Sequence, residues 1–273
     1  MVLPLGHRVN QVGIATHHLG SPDYNAVPSA MHIASTRETN SKLFEMLNFS
    51  DSLGDAAEAF YKYMSAVYGL EAEQASDDAQ AHSKERQTKP FRSSFLRLLV
   101  GWGYDSNGPE GAVLKSWVES RFGLVPTFHK DMIGDFSDTA WMDYVVEKMM
   151  TPFHGNSILS QLDLLYEYCQ WAMAHYITGE KSHLTLYRGV NSFDGHQVVE
   201  HIDRQTAVAR LNNLVSFTAD PEMADCFGET VLTVEVPVTK IAFFNTLLPF
   251  YPLKGEGEYL VIGGNYRVHI NRI

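Results

Sequence analysis

A chain of 273 residues with 45% hydrophobic and 19% charged side chains is long and apolar enough to bury one large core or two modest ones, which excludes a disordered polymer and a small disulfide-stapled scaffold. Its 32 Asp and Glu against 21 Lys and Arg give a formal charge of -11, so the average surface repels nucleic-acid phosphates and anionic membranes, and an anionic ligand must meet a local cation. Two cysteines are too few for a disulfide framework and fit a reducing cytosol, and no apolar run reaches the roughly 18 residues of a membrane helix.

Within residues 1–10, Gly6, His7 and Arg8 interrupt the apolar stretch a secretory signal needs, so a cytoplasmic protein without membrane insertion is expected. Helices follow over the first two thirds of the chain. Asp55 and Glu58 have capping-box spacing, Phe60, Met64, Val67 and Tyr68 recur at helical intervals, and Gly69 offers a stop. Residues 71–90 are polar and read as an exposed loop. Phe91, Phe95, Leu98, Leu99 and Trp102 form the next apolar stripe, and Pro109 opens a helix that carries Val113, Leu114, Trp117 and Val118 as far as Gly123 and Pro126. Two more helices are predicted over 139–150 and 158–178, the second offering Ile158, Leu162, Leu165, Cys169 and Met173 to a core. Aromatic stripes of this kind read as packing.

After Gly179 the period shortens. Strands are predicted at 184–190, 214–218, 230–238, 240–245, 256–262 and 266–273, with Gly263-Gly264-Asn265 as a tight turn joining the last two. Asp220-Pro221 caps a short helix closed by Gly228. The expected fold is α+β: residues 1–180 mainly helical, residues 181–273 an antiparallel β-core, and both in one compact unit.

Three β-rich segments carry chemistry. In Leu186-Tyr187-Arg188-Gly189-Val190 a guanidinium interrupts an apolar strand, and its desolvation calls for an anionic partner, either an internal carboxylate or a ligand. Alternation in Leu214-Val215-Ser216-Phe217-Thr218 sends Ser216 and Thr218 to one face, where two hydroxyls orient a carboxylate or ribose, or cap the following helix. Glu256 and Glu258 flank Gly257 after an aromatic, proline-rich loop, and on a strand they share a face despite their repulsion. Such a pair suits a cationic substrate or a transition state that gains positive charge; a strand edge protected from aggregation is the plainer alternative.

Taken in order, Arg188, Ser216 and Glu256-Gly257-Glu258 resemble the R-S-E triad of the mono-ADP-ribosyltransferases related to bacterial arginine-modifying toxins, and Ala224, Phe227 and Gly228 resemble the helix after that family's second motif. Within the family the likeness is to the branch acting on dinitrogenase reductase. The resemblance implies a split antiparallel sheet with NAD as substrate; no metal is expected. Arg188 would hold the pyrophosphate, Gly189 the nicotinamide amide through its main chain, and Ser216, Thr218 and Phe227 would complete the NAD site. Glu258 would be the catalytic glutamate steadied by Ser216. Glu256 would accept the proton of an arginine acceptor, and Phe250 or Tyr251 would face the target protein. The implied target is the nitrogenase iron protein, with a PII-type signalling protein as regulator; the helical region and residues 71–90 are the expected docking surfaces.

Other readings stand beside this one: an NAD glycohydrolase, an arginine transferase with another target, or a non-catalytic NAD-sensing module. No P-loop or dinucleotide-binding glycine pattern is present. His17-His18 and the pair His196 and His201 lack a zinc spacing, and Cys169 and Cys226 read as packed thiols.

Overall fold

A computed structural model describes residues 5–70, 94–151, 155–191, 193, 197–248 and 257–272. Four short helices, α1 (Thr16–Leu19), α2 (Pro22–Ala26), α3 (Thr36–Thr39) and α4 (Ser41–Leu47), lead into the long α5 (Leu53–Tyr68). Its cap is Ser52, not the predicted Asp55. Ser52 has the extended backbone that a cap requires, and its hydroxyl accepts from Asp55 N at 3.1 Å and donates to the Asp55 carboxylate at 2.7 Å. Phe60 and Met64 are buried as expected, but Val67 is 52% exposed, and Gly69 ends the helix with φ 68°. The predicted loop at 71–90 and Phe91 lie outside the described residues.

Helix α6 (Phe95–Tyr104) buries Phe95, Leu98, Leu99 and Trp102; α7 (Pro109–Phe122) starts on its proline and stops at Gly123. A two-stranded hairpin follows, β1 (Phe128–His129) and β2 (Asp131–Met132), which is too short to show as alternation. Helices α8 (Thr139–Met150) and α9 (Asn156–Ala172) come next, and α9 ends in one π-helical turn over Met173–Ile177.

Among the described residues six antiparallel strands make the sheet: β3 (His183–Val190), β4 (Gln197–His201), β5 (Thr206–Thr218), β6 (Thr230–Pro237), β7 (Ile241–Phe244) and β8 (Glu258–Arg272), in the order β4-β5-β3-β6-β8-β7. One edge of β8 carries β5, from Thr218 opposite Glu258 to Thr206 opposite His269. Its other edge is divided between β7, which reaches Tyr259, and β6, which reaches Arg272. This division is the split in the sheet. Strands β3 and β5 meet only where Tyr187 faces Thr218, so the two diverge on either side of that point.

The tight turn expected at Gly263-Gly264-Asn265 is absent: β8 runs straight through it. Leu211 faces Gly264 and Leu214 faces Ile262, so Asn212 and Asn213 bulge from β5. A Cβ on Gly263 would lie 1.7 Å from the Asn212 carbonyl oxygen, and Gly264 has φ 115°, so these glycines admit a bulge and not a chain reversal. Strand β4 and the first part of β5 were not expected. Ala207, Val208 and Ala209 are buried in succession, which hides the two-residue alternation. One apolar core runs through both regions, joining Phe60, Leu98, Trp117 and Tyr166 of the helices to Leu186, Val234 and Val261 of the sheet.

Candidate active site

Backbone register brings Arg188, Ser216 and Glu258 together. Thr218 pairs with both Tyr187 and Glu258, which puts Arg188, one residue beyond Tyr187, and Ser216, two residues before Thr218, at the same junction as Glu258. Arg188 Nη1 donates to the Ser216 carbonyl at 2.7 Å, and Ser216 Oγ donates to Glu258 Oε1 at 2.6 Å. The indole Nε1 of Trp102 donates to the same Ser216 hydroxyl at 3.0 Å. Ser216 therefore ties together three strands and the last turn of α6.

These residues line a cleft of about 590 Å³, within the range of small-molecule sites. Tyr104, Gly189, Thr218, Phe227 and Glu258 also face it. An adjoining cleft of about 500 Å³ shares Trp102, Ser106, Arg188 and Ser216 and adds Arg210 and Asn212, so Arg188 stands where the two meet. Arg188 is half-buried and faces both clefts. Burial lowers its pKa from the ordinary value, and the Glu258 charge works in the opposite direction. Its hydrogen-bonded partner is a neutral carbonyl, so among the described residues the internal-carboxylate alternative for Arg188 has no ion pair behind it. A desolvated cation of this kind favours an anion entering from the cleft.

Glycine is required at 189. An added Cβ would lie 1.9 Å from the Ala224 carbonyl oxygen in the short helix α10 (Pro221–Asp225), so β3 and α10 pass backbone against backbone at this point. The two hydroxyls of β5 divide the roles proposed for them: Ser216 orients a carboxylate, whereas Thr218 Oγ1 accepts from Asp220 N at 3.1 Å and steadies the approach to α10. Phe227 lines the cleft and is 68% exposed.

Glu256, Phe250 and Tyr251 lie outside the described residues. Strand β8 begins at Glu258, directly after Gly257 with φ 68°. Cys169 is buried, and burial pushes its thiol well above the ordinary range; Cys226, expected to be packed, is exposed. No cluster of His, Cys, Asp or Glu suited to a metal occurs among the described residues.

Two contributors went unread in the sequence. Trp102 appeared as one member of a packing stripe, and only its polar N–H hinted at more. Lys115, on α7 and 1% exposed, donates to Asn107 Oδ1 and to the Phe128 carbonyl, both at 3.1 Å. His129 Nδ1 lies 3.3 Å from the amine, and His129 Nε2 lies 2.8 Å from Glu147 Oε2. Asn107 and Phe128 line the smaller cleft, so this buried cluster supports its wall. Burial pulls the Lys115 amine down to about 8.

An arginine, a serine and a glutamate joined across three strands of a split antiparallel sheet define the mono-ADP-ribosyltransferase class. Sequence comparison narrows this: the profile described as dinitrogenase reductase ADP-ribosyltransferase matches residues 9–270, and the chain belongs to that family. It is 55% identical over 264 residues to the NAD(+)–dinitrogen-reductase ADP-D-ribosyltransferase of Rhodospirillum rubrum, a match covering 97% of this chain and 95% of that protein. No solved structure matches significantly.

Proposed function

We propose that this chain is an NAD-dependent mono-ADP-ribosyltransferase that moves ADP-ribose from NAD to an arginine of dinitrogenase reductase, the nitrogenase iron protein, and thereby inactivates nitrogen fixation. One observation carries the reading: the Ser216 hydroxyl on Glu258 beside the desolvated Arg188 guanidinium, all in one cleft. The family and the dinitrogen-reductase relative supply the acceptor.

Arg188 takes pyrophosphate oxygens, supplying the cation that a chain of charge -11 otherwise lacks at this point. The backbone at Gly189 receives the nicotinamide amide, and Thr218 and Phe227 complete the pocket. Breaking the bond between the ribose C1′ and the nicotinamide nitrogen sends the electron pair to nicotinamide, which leaves neutral, and the ribose becomes oxocarbenium-like. Glu258, held by Ser216, binds a ribose hydroxyl and stabilises that cation. An acceptor guanidinium is a poor nucleophile until it sheds a proton; Glu256 takes that proton as the new C–N bond forms. Phe250 and Tyr251 meet the target protein.

A PII-type signalling protein is the proposed regulator, docking on the helical region, with residues 71–90 as a contact. Target and regulator imply a cytoplasmic site of action; no helix among the described residues is long and apolar enough to cross a membrane. The test is incubation with labelled NAD and dinitrogenase reductase, followed by mass spectrometry of the acceptor. Label on one arginine supports the reading. Free ADP-ribose alone would make the protein an NAD glycohydrolase, and label on another residue type would remove the arginine assignment.

A further inference from the structure

We infer that Trp102 is a positioning residue: its indole N–H fixes the Ser216 hydroxyl so that the hydroxyl proton points at Glu258. This rests on the reading of Glu258 as the catalytic carboxylate, and it makes the helical region part of the catalytic apparatus.

A serine hydroxyl has one proton and rotates to suit its surroundings, whereas an indole nitrogen can only donate. Trp102 Nε1 lies 3.0 Å from Ser216 Oγ, so the indole occupies a lone pair of that oxygen and the serine proton must leave in another direction. Glu258 Oε1, at 2.6 Å from the same oxygen, receives it. The chain Trp102 to Ser216 to Glu258 therefore has a single donor sense, and each donation strengthens the next. Its origin is rigid: Trp102 is 5% exposed in the last turn of α6, beside the buried Leu98 and Leu99. Meanwhile Arg188 holds the Ser216 carbonyl, so both polar ends of this serine are fixed before substrate arrives. Packing alone asks nothing of the indole nitrogen and would be served by a ring of the same shape without the N–H.

The test is a cycle of Trp102→Phe, Ser216→Ala and the double variant, read as nicotinamide release from NAD with water and with dinitrogenase reductase as acceptors. We expect Trp102→Phe to lower kcat roughly tenfold, the effect of losing one orienting hydrogen bond, with KM for NAD within about twofold of wild type. In the Ser216→Ala background Trp102→Phe should have no further effect. Losses that multiply in the double variant, an unchanged kcat, or a rise in KM alone would each overturn the inference. Should Trp102→Phe fold poorly, the benzothienyl analogue of tryptophan at position 102, which replaces N–H by sulfur at nearly constant shape, must give the same kcat loss; wild-type kcat in that protein also overturns it. Glu258→Gln separates the two levels. If it keeps wild-type turnover, the catalytic reading itself fails; if it is inactive while Trp102→Phe is unaffected, only the role of Trp102 falls.

Discussion

The sheet and the helical region contribute to the same cleft by different physical means. Arg188, Ser216 and Glu258 are placed by strand register, in which each backbone pair constrains the next over the whole length of β5 and β8. Trp102 and Lys115 are placed by packing, each on one helix, Trp102 donating once to Ser216 and Lys115 donating to Asn107 and to the Phe128 carbonyl. Substitutions in the triad should therefore remove chemistry while leaving the fold intact. Substitutions at the helical contacts should alter rate or stability more moderately and through intermediaries.

The sharpest way to break this comparison is Glu258→Gln. The variant keeps shape and hydrogen bonding to Ser216 but loses the negative charge, and should lose about 10² to 10⁴ in turnover with both water and protein acceptors; its melting temperature should stay close to wild type. A large loss of stability would mean that the triad is also a folding element. Arg188→Lys comes next. A lysine retains charge but not the two-pronged geometry, so KM for NAD should rise roughly 10- to 100-fold, more than kcat falls; steady-state kinetics over a range of NAD concentrations decide it. Glu256→Gln should suppress arginine modification severalfold more than NAD hydrolysis, because only the acceptor step needs its proton abstraction. Equal losses in the two assays would leave Glu256 without an acceptor role.

Lys115→Met is read not in turnover but as stability against pH. The folded amine titrates near 8, below the roughly 10.4 of an exposed lysine, so between these values the unfolded chain binds a proton that the folded chain does not. Stability from this group should rise with pH across that window, by roughly 3 kcal/mol at most. The melting temperature of wild type should therefore gain on that of Lys115→Met between about pH 8 and pH 10. A constant difference would show that Lys115 is not desolvated in solution.

The same contrast explains what could be read from sequence. The helical stripes at Phe60 and Met64 and at Phe95 to Trp102 were legible because one buried face repeats with the helical period. The triad was legible because a guanidinium in an apolar strand is costly to desolvate and two carboxylates close in sequence repel, and the order of these residues matched a known pattern. What escaped were features set by partners distant in sequence. Gly263 and Gly264 carry the local signature of a turn, yet β8 runs straight through them against the Asn212-Asn213 bulge of β5. Trp102 looked like any other core aromatic, since only the fold brings its N–H within 3.0 Å of Ser216 Oγ.

The most direct test of the central claim is a crystal structure of the Glu258→Gln variant with intact NAD. The account predicts the pyrophosphate on the Arg188 guanidinium, the nicotinamide against the backbone at Gly189, and the adjoining ribose within hydrogen-bonding reach of residue 258 and Ser216. NAD bound away from this junction, or with its nicotinamide ribose on the far side of Arg188 from residue 258, would contradict it.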